Sequence, residues 1–162
     1  VTGKAFTVFL VILLLALSGC SIVETNQKTG VLEKTSSHEK LPDTFSNGKT
    51  KLSVQSDKNT YTFPVDELVL LISNSGANPV EFGEYRVLEK FQEGVWYEIP
   101  YKENFAFTDI GLGLGAKEHL EQEMPLEFLD YELPAGTYRI VKIFYINGGA
   151  EEIALAAEFE IK

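Results

Sequence analysis

Cysteine, histidine and basic residues are scarce in this chain of 162 residues. The one cysteine, Cys20, excludes an intrachain disulfide. An exported chain with this sequence must therefore rest on core burial, which about 110 residues can supply. Only two histidines are present, His38 and His119, and only one methionine and one tryptophan. Fourteen Lys and Arg stand against twenty-four Asp and Glu, for a formal net charge of −10. Lys4 is the only charge in residues 1–20, so residues 21–162 carry −11. A body this acidic is a poor binder of nucleic acid or anionic lipid, and its charge also serves plain solubility. No segment shows a useful helical period, and no apolar run reaches the ~20 residues of a spanning helix.

The one long apolar run is Ala5 to Leu17, relieved only by Thr7 and preceded by Lys4. Ser18, Gly19 and Cys20 come next, small residues placed as at a cleavage site. This is the layout of a secretory signal peptide over residues 1–19. A buried core helix fits less well, because the run is apolar on every face at the terminus of a strand-like chain. Leu17-Ser18-Gly19-Cys20 resembles a bacterial lipobox. The resemblance implies diacylglycerol on the Cys20 sulfur, cleavage between Gly19 and Cys20, and a place on the outer face of the cytoplasmic membrane. Two acyl chains anchor stably where one binds marginally. The other reading is an ordinary signal peptide with a chance cysteine.

Residues 20–48 then read as a lipid-anchored tether. Ser21 to Gly48 is rich in Ser, Thr, Asn, Lys and Glu, too polar to fold alone, with a reach of about 30 Å. His38 in that stretch reads as solvated.

From Lys49 to Lys162 the period changes to two. Leu52 and Val54 alternate with Lys51, Ser53 and Gln55; Leu68 to Ile72 reads as a central strand buried on both sides. Asn74 to Pro79 is turn chemistry, and Val80 and Phe82 restart a strand before Gly83. Tyr85–Gln92 and Val95–Ile99 flank Glu93-Gly94 as a hairpin. Gly111, Gly113 and Gly115 suggest a flexible loop, and Glu118–Phe128 a strand broken near Pro125. Thr137–Ile146 and Ile153–Ile161 flank Asn147-Gly148-Gly149, the clearest hairpin signal. Ile153, Leu155, Ala157, Phe159 and Ile161 share one face. The pattern predicts an all-β sandwich or barrel of about seven or eight strands. Leu133-Pro134-Ala135-Gly136-Thr137-Tyr138 favours the sandwich, because it resembles a tyrosine corner; an ordinary core tyrosine is the alternative.

The stretch from Lys51 to Lys162 resembles the bacterial immunoglobulin-like domains of lipoproteins from Bacillus-type bacteria. The residues that carry this are Phe82-Gly83-Glu84-Tyr85, Leu88-Glu89-Lys90, Gly94-Val95-Trp96-Tyr97 and Leu133 to Lys142. The resemblance implies an antiparallel immunoglobulin-like β-sandwich in a cell-envelope setting, with no catalytic residues to carry over. Trp96 is not equated with the tryptophan that packs on a disulfide in antibody domains.

Candidate chemistry is sparse. His119, Glu121 and Glu123 share one strand face, read more simply as a polar solvent face than as an acid–base group or a cation site. Gly111-Leu112-Gly113-Leu114-Gly115 lacks the Lys-Ser/Thr ending of a phosphate loop. No cofactor, metal or catalytic residue is expected. Tyr85, Trp96, Tyr97 and Tyr101 form an aromatic group suited to binding or to packing. The expected partner surface is Tyr97, Tyr101, Gly111, Gly113 and Gly115, facing an envelope or extracellular protein. Two roles remain: a non-catalytic interaction module, or an inhibitor or accessory factor for an extracellular enzyme such as a protease.

Overall fold

The computed structural model describes residues 30–162. Among them the alternating pattern gives eleven strands: β1 (Thr44–Ser46), β2 (Lys51–Ser56), β3 (Thr60–Tyr61), β4 (Val69–Asn74), β5 (Val80–Gly83), β6 (Arg86–Gln92), β7 (Val95–Glu98), β8 (Gly111–Leu114), β9 (His119–Glu123), β10 (Gly136–Ile146) and β11 (Glu151–Ile161). A single 3-10 turn occupies Leu126–Phe128, just after Pro125. No helix among the described residues is long and apolar enough to cross a membrane.

The strands form two sheets that face each other. The smaller has the order β1-β2-β4-β9. The larger runs β3-β11-β10-β5-β8, with β6 also on β10 and β7 on β6. Every pairing is antiparallel except β3 with β11. Leu52, Val54, Leu70 and Ile72 of the smaller sheet pack against Ile140, Phe144, Leu155 and Phe159 of the larger in one buried cluster. The expected face of β11, from Ile153 to Ile161, is buried throughout.

Two hairpins arise from local backbone chemistry. Asn147, Gly148 and Gly149 all have positive φ (54°, 66° and 85°), and the β10–β11 register runs unbroken from Ile146↔Glu151 to Gly136↔Ile161. Glu93 and Gly94, also at positive φ, close a two-residue turn between Gln92 and Val95. A turn of that kind matches the twist of the strands it joins. At the start of β10 the Tyr138 hydroxyl donates to the Pro134 carbonyl at 2.5 Å. Tyr138 is fully buried and stacks on Phe159 with ring centroids 5.8 Å apart. The tyrosine-corner reading holds, and the plain core tyrosine does not.

Four expectations need correcting. Eleven strands stand where seven or eight were expected. The added ones, β1, β3 and β8, are two to four residues long, too short to show a period of two. Gly111 to Leu114 forms strand β8, paired with β5, where a flexible loop was expected; β5 supplies the register that glycine does not. The outward face of β4 is half-buried, so that strand is covered fully on one side only.

The fourth correction concerns residues 30–48. Leu32 joins the core cluster, and Thr35 bridges Tyr97 on β7. The Ser36 amide donates to the Trp96 carbonyl and the Glu98 amide to the Lys34 carbonyl. Further on, the Ala156 amide donates to the Pro42 carbonyl and the Val54 amide to the Asp43 carbonyl, before β1 joins β2. This segment is a strap over the larger sheet, not a tether. It escapes a pattern reading because it is held by its backbone, by two widely spaced apolar side chains, Leu32 and Phe45, and by the polar contacts of Lys34 with Glu98 and Ser36 with Arg139.

The tyrosine corner and the strap give two stability predictions. Tyr138→Phe, which strips the donor from the half-buried Pro134 carbonyl, should cost about 1–3 kcal/mol in urea unfolding. A fragment of residues 49–162 should be less stable than one of residues 30–162 by at least about 2 kcal/mol, since it loses Leu32 and the strap's bonds to a buried charge.

Candidate functional site

Strands β5 and β6 act as one long strand with a kink against β10. Glu81 pairs Tyr145, and Arg86 pairs Lys142. The two pairs are three residues apart on β10 and five apart on the facing strand. The surplus makes a bulge at Gly83–Tyr85, which bends the strand and frees backbone carbonyls. Lys142, fully buried on the inner face of β10, fills that need: its ammonium donates to the carbonyls of Gly83 and, at 3.1 Å, of Tyr85. It also lies 5.0 Å over the Phe82 ring. Burial and the neighbouring Arg86 guanidinium pull the Lys142 ammonium down to about 7, against the opposing pull of Glu84. Arg86, itself lowered by burial, donates to the carbonyls of Glu84 (2.7 Å) and Glu123.

On the opposite, outer face, the bulge and β8 bound a groove of about 320 Å³. Tyr85, Ile110 and Tyr145 rise from it with 53%, 52% and 38% of their surface exposed. Gly83 and Gly111, which pair with each other, form its floor, and Gly113 opposite Glu81 continues that face. Three carboxylates line it (Glu81, Glu84 and Asp109) with no Lys, Arg or His. Glu84 accepts a bond from the Thr108 hydroxyl.

The expected partner surface divides in the structure. Gly111 and Gly113 are exposed on β8, beside the groove. Gly115 is half-buried past the strand, where its amide donates to Glu118 Oε2 at 2.7 Å. Tyr97 and Tyr101 are half-buried and packed against the core. Tyr101 stacks on Phe105 at 4.9 Å, meets Phe107 edge-on at 5.1 Å, and donates its hydroxyl to the Arg86 carbonyl at 3.2 Å. Burial pushes that hydroxyl above its usual range. Phe105 and Phe107, in the segment between β7 and β8, fold back on the Tyr101 ring, while Tyr97 packs against the core from β7. Trp96 lies on the outer face of the larger sheet, 4.2 Å from the Arg139 guanidinium. Tyr145 and Ile110 were missed as groove residues. The alternation along β10 does place Tyr145 outward, the one signal that was available.

His119, Glu121 and Glu123 alternate along the exposed face of β9. Among the described residues no three His, Cys, Asp or Glu side chains gather where a metal ion could be held. Gly19, Cys20 and the apolar run before them lie outside the described residues.

Residues 48–160 match the sequence model of a family described as Bacterial Ig-like domain. No curated protein matches the chain. Among solved structures, the alkylpurine DNA glycosylase AlkC of Pseudomonas fluorescens, bound to DNA containing an abasic site analog, matches at 14% identity with a TM-score of 0.37. The match covers 70% of this chain and 30% of that one, a likeness too slight to carry an argument.

The buried lysine makes stability depend on pH. Between about pH 7 and 10 the unfolded chain keeps a proton on Lys142 that the folded chain gives up, so stability should rise with pH across that window. The slope should reach at most about 1.4 kcal/mol per pH unit. Above pH 10 the buried hydroxyls of Tyr61, Tyr101 and Tyr138, held protonated by burial, reverse the trend. Urea unfolding of Lys142→Met at a series of pH values should show the rise between pH 7.5 and 9.5 flattened.

Proposed function

Because the chain belongs to the bacterial Ig-like domain family, we propose that it is an exported, lipid-anchored and non-catalytic module that displays this sandwich to a protein partner in the cell envelope. The observation that carries the binding half is the groove beside β8: exposed aromatic and aliphatic side chains around a glycine floor, next to a strand edge that no other strand among the described residues takes up. The three buried cations are engaged in the fold. Arg139 bonds Glu89, Lys142 holds the bulge, and Lys90 donates to the Tyr131 hydroxyl at 3.2 Å. The one histidine of the sandwich, His119, stands on an exposed strand.

The anchoring half rests on Ala5 to Leu17 followed by Leu17-Ser18-Gly19-Cys20. If lipid sits on Cys20, the strap shortens the spacer. Leu32 is already in the core, so residues 21–31 are the whole span, and at full extension they reach at most about 40 Å. Such a leash confines the module to a thin layer above the membrane and raises its effective concentration towards envelope partners.

Labelling with an alkyne fatty acid in the producing bacterium tests the anchor. Wild type should take up the probe and remain with the membrane fraction; Cys20→Ala should lose both properties and accumulate uncleaved. Equal labelling of the two forms rules the anchor out. His119→Ala should keep the cellular role that deletion of residues 49–162 abolishes, and loss of that role in a folded His119→Ala chain would count against a non-catalytic module.

A further inference from the structure

Gly111 and Gly113 have no reason within the chain to be glycine. Neither has a positive φ. A Cβ built on Gly111 meets nothing within 4 Å, and one on Gly113 meets only the Val80 carbonyl, at 4.0 Å. Both are exposed, in a strand whose inward residues, Leu112 and Leu114, supply the packing. Glycine weakens a strand interior, and an isolated glycine there marks close approach of another backbone or a ligand. No backbone of this molecule makes that approach among the described residues.

The other strand edges are each protected. Residues 34–36 cover β7 by backbone bonds to Trp96 and Glu98. β9 carries the charges of Glu121 and Glu123, while β1 and β3 are three and two residues long. Among the described residues only β8 presents an edge, Gly-Leu-Gly-Leu, without charge, proline or a covering strand; at its far end the Leu114 carbonyl accepts from Asn74 Nδ2. An edge of that kind is a template for another strand.

We propose that β8 takes an extended segment of a partner protein by strand addition, with a lysine or arginine of that segment seated in the adjoining groove. This rests on the display reading above and names the class of partner. The cation is set by the lining: Glu81, Glu84 and Asp109 with no positive side chain, beside the exposed rings of Tyr85 and Tyr145. Carboxylates and ring faces both attract a cation. The glycines leave the path from the edge to the groove open, since any side chain at Gly111 or Gly113 would stand on the groove side, in line with Glu81 and Gly83, and block a lysine or arginine reaching over β8. Main-chain bonds to the edge supply affinity, and the groove supplies selectivity.

The probe is a fluorescein-labelled heptapeptide of alternating threonine and valine with one central lysine, added to the purified full chain in non-ionic detergent and followed by anisotropy. It should bind and weaken with added salt. Replacing its lysine by glutamate, or N-methylating alternate amides so that one edge has no donors, should each weaken binding at least tenfold. In the protein, Gly111→Thr with Gly113→Thr should abolish binding while keeping or raising the melting temperature. Absence of binding by the lysine peptide, equal binding of the glutamate peptide, or unchanged binding to the double variant would overturn the proposal. So would a lower melting temperature in the double variant, which would make the glycines a need of the fold. Because the peptide meets solubilised protein, a negative result counts against strand addition and leaves the anchor to the labelling at Cys20.

Discussion

Arg139 stands on the outer face of β10, yet none of its surface is exposed. Its guanidinium bonds Glu89 Oε2 at 2.6 Å, lies 4.2 Å from the Trp96 ring, and donates to the Ser36 hydroxyl and the His38 carbonyl. Two charges withdrawn from water are tolerable only when they face each other and their remaining hydrogen-bonding groups find partners, and breaking such a pair from one side costs about 3–5 kcal/mol. The strap supplies partners for Arg139 Nη2, the Ser36 hydroxyl and the His38 carbonyl, whereas the buried Nη1 is left without one. The strap also completes the second layer over a strand that is already buried on its inner face. The central strand of the larger sheet is thus fixed from both sides, and β5, β6 and β11 take their register from it.

Lys142 makes a similar demand on the inner face. Its ammonium lies in an apolar layer between Phe82 and the bulge, and its acceptors are two carbonyls that a regular ladder would have consumed. The bulge and the lysine therefore require each other. The bulge turns Glu84 and Tyr85 towards the outer surface, where they become one wall of the groove. A buried lysine on one side of the sheet shapes the groove on the other.

That surface runs against the economy of the rest. Elsewhere among the described residues each strand edge is short, charged or covered. At β8 two glycines forgo side-chain packing and leave an edge bare. Departures of this kind from local consistency are expected where a molecule meets its partner. Part of the chain's acidity is gathered at Glu81, Glu84 and Asp109, which line that groove with no positive side chain.

Local chemistry in the sequence determined the all-β class, the two hairpins, the tyrosine corner, and the buried face from Ile153 to Ile161. Each depends on residues a few positions apart: alternation, residues suited to positive φ, and a tyrosine four places from its acceptor carbonyl. The expectation of a lipid anchor likewise rests on contiguous residues ending at Cys20. Only the tertiary structure decided the rest. The strap, β8 and the Arg139–Glu89 pair join positions far apart in the chain, and a polar stretch or a glycine repeat carries no local mark of the strand it will meet. Tyr97 and Tyr101 show the same limit, since an aromatic ring reads alike in sequence whether it packs or binds. What separated Tyr101 from Tyr145 was the chain that folds over the first and leaves the second open, a difference of coverage that no periodicity encodes.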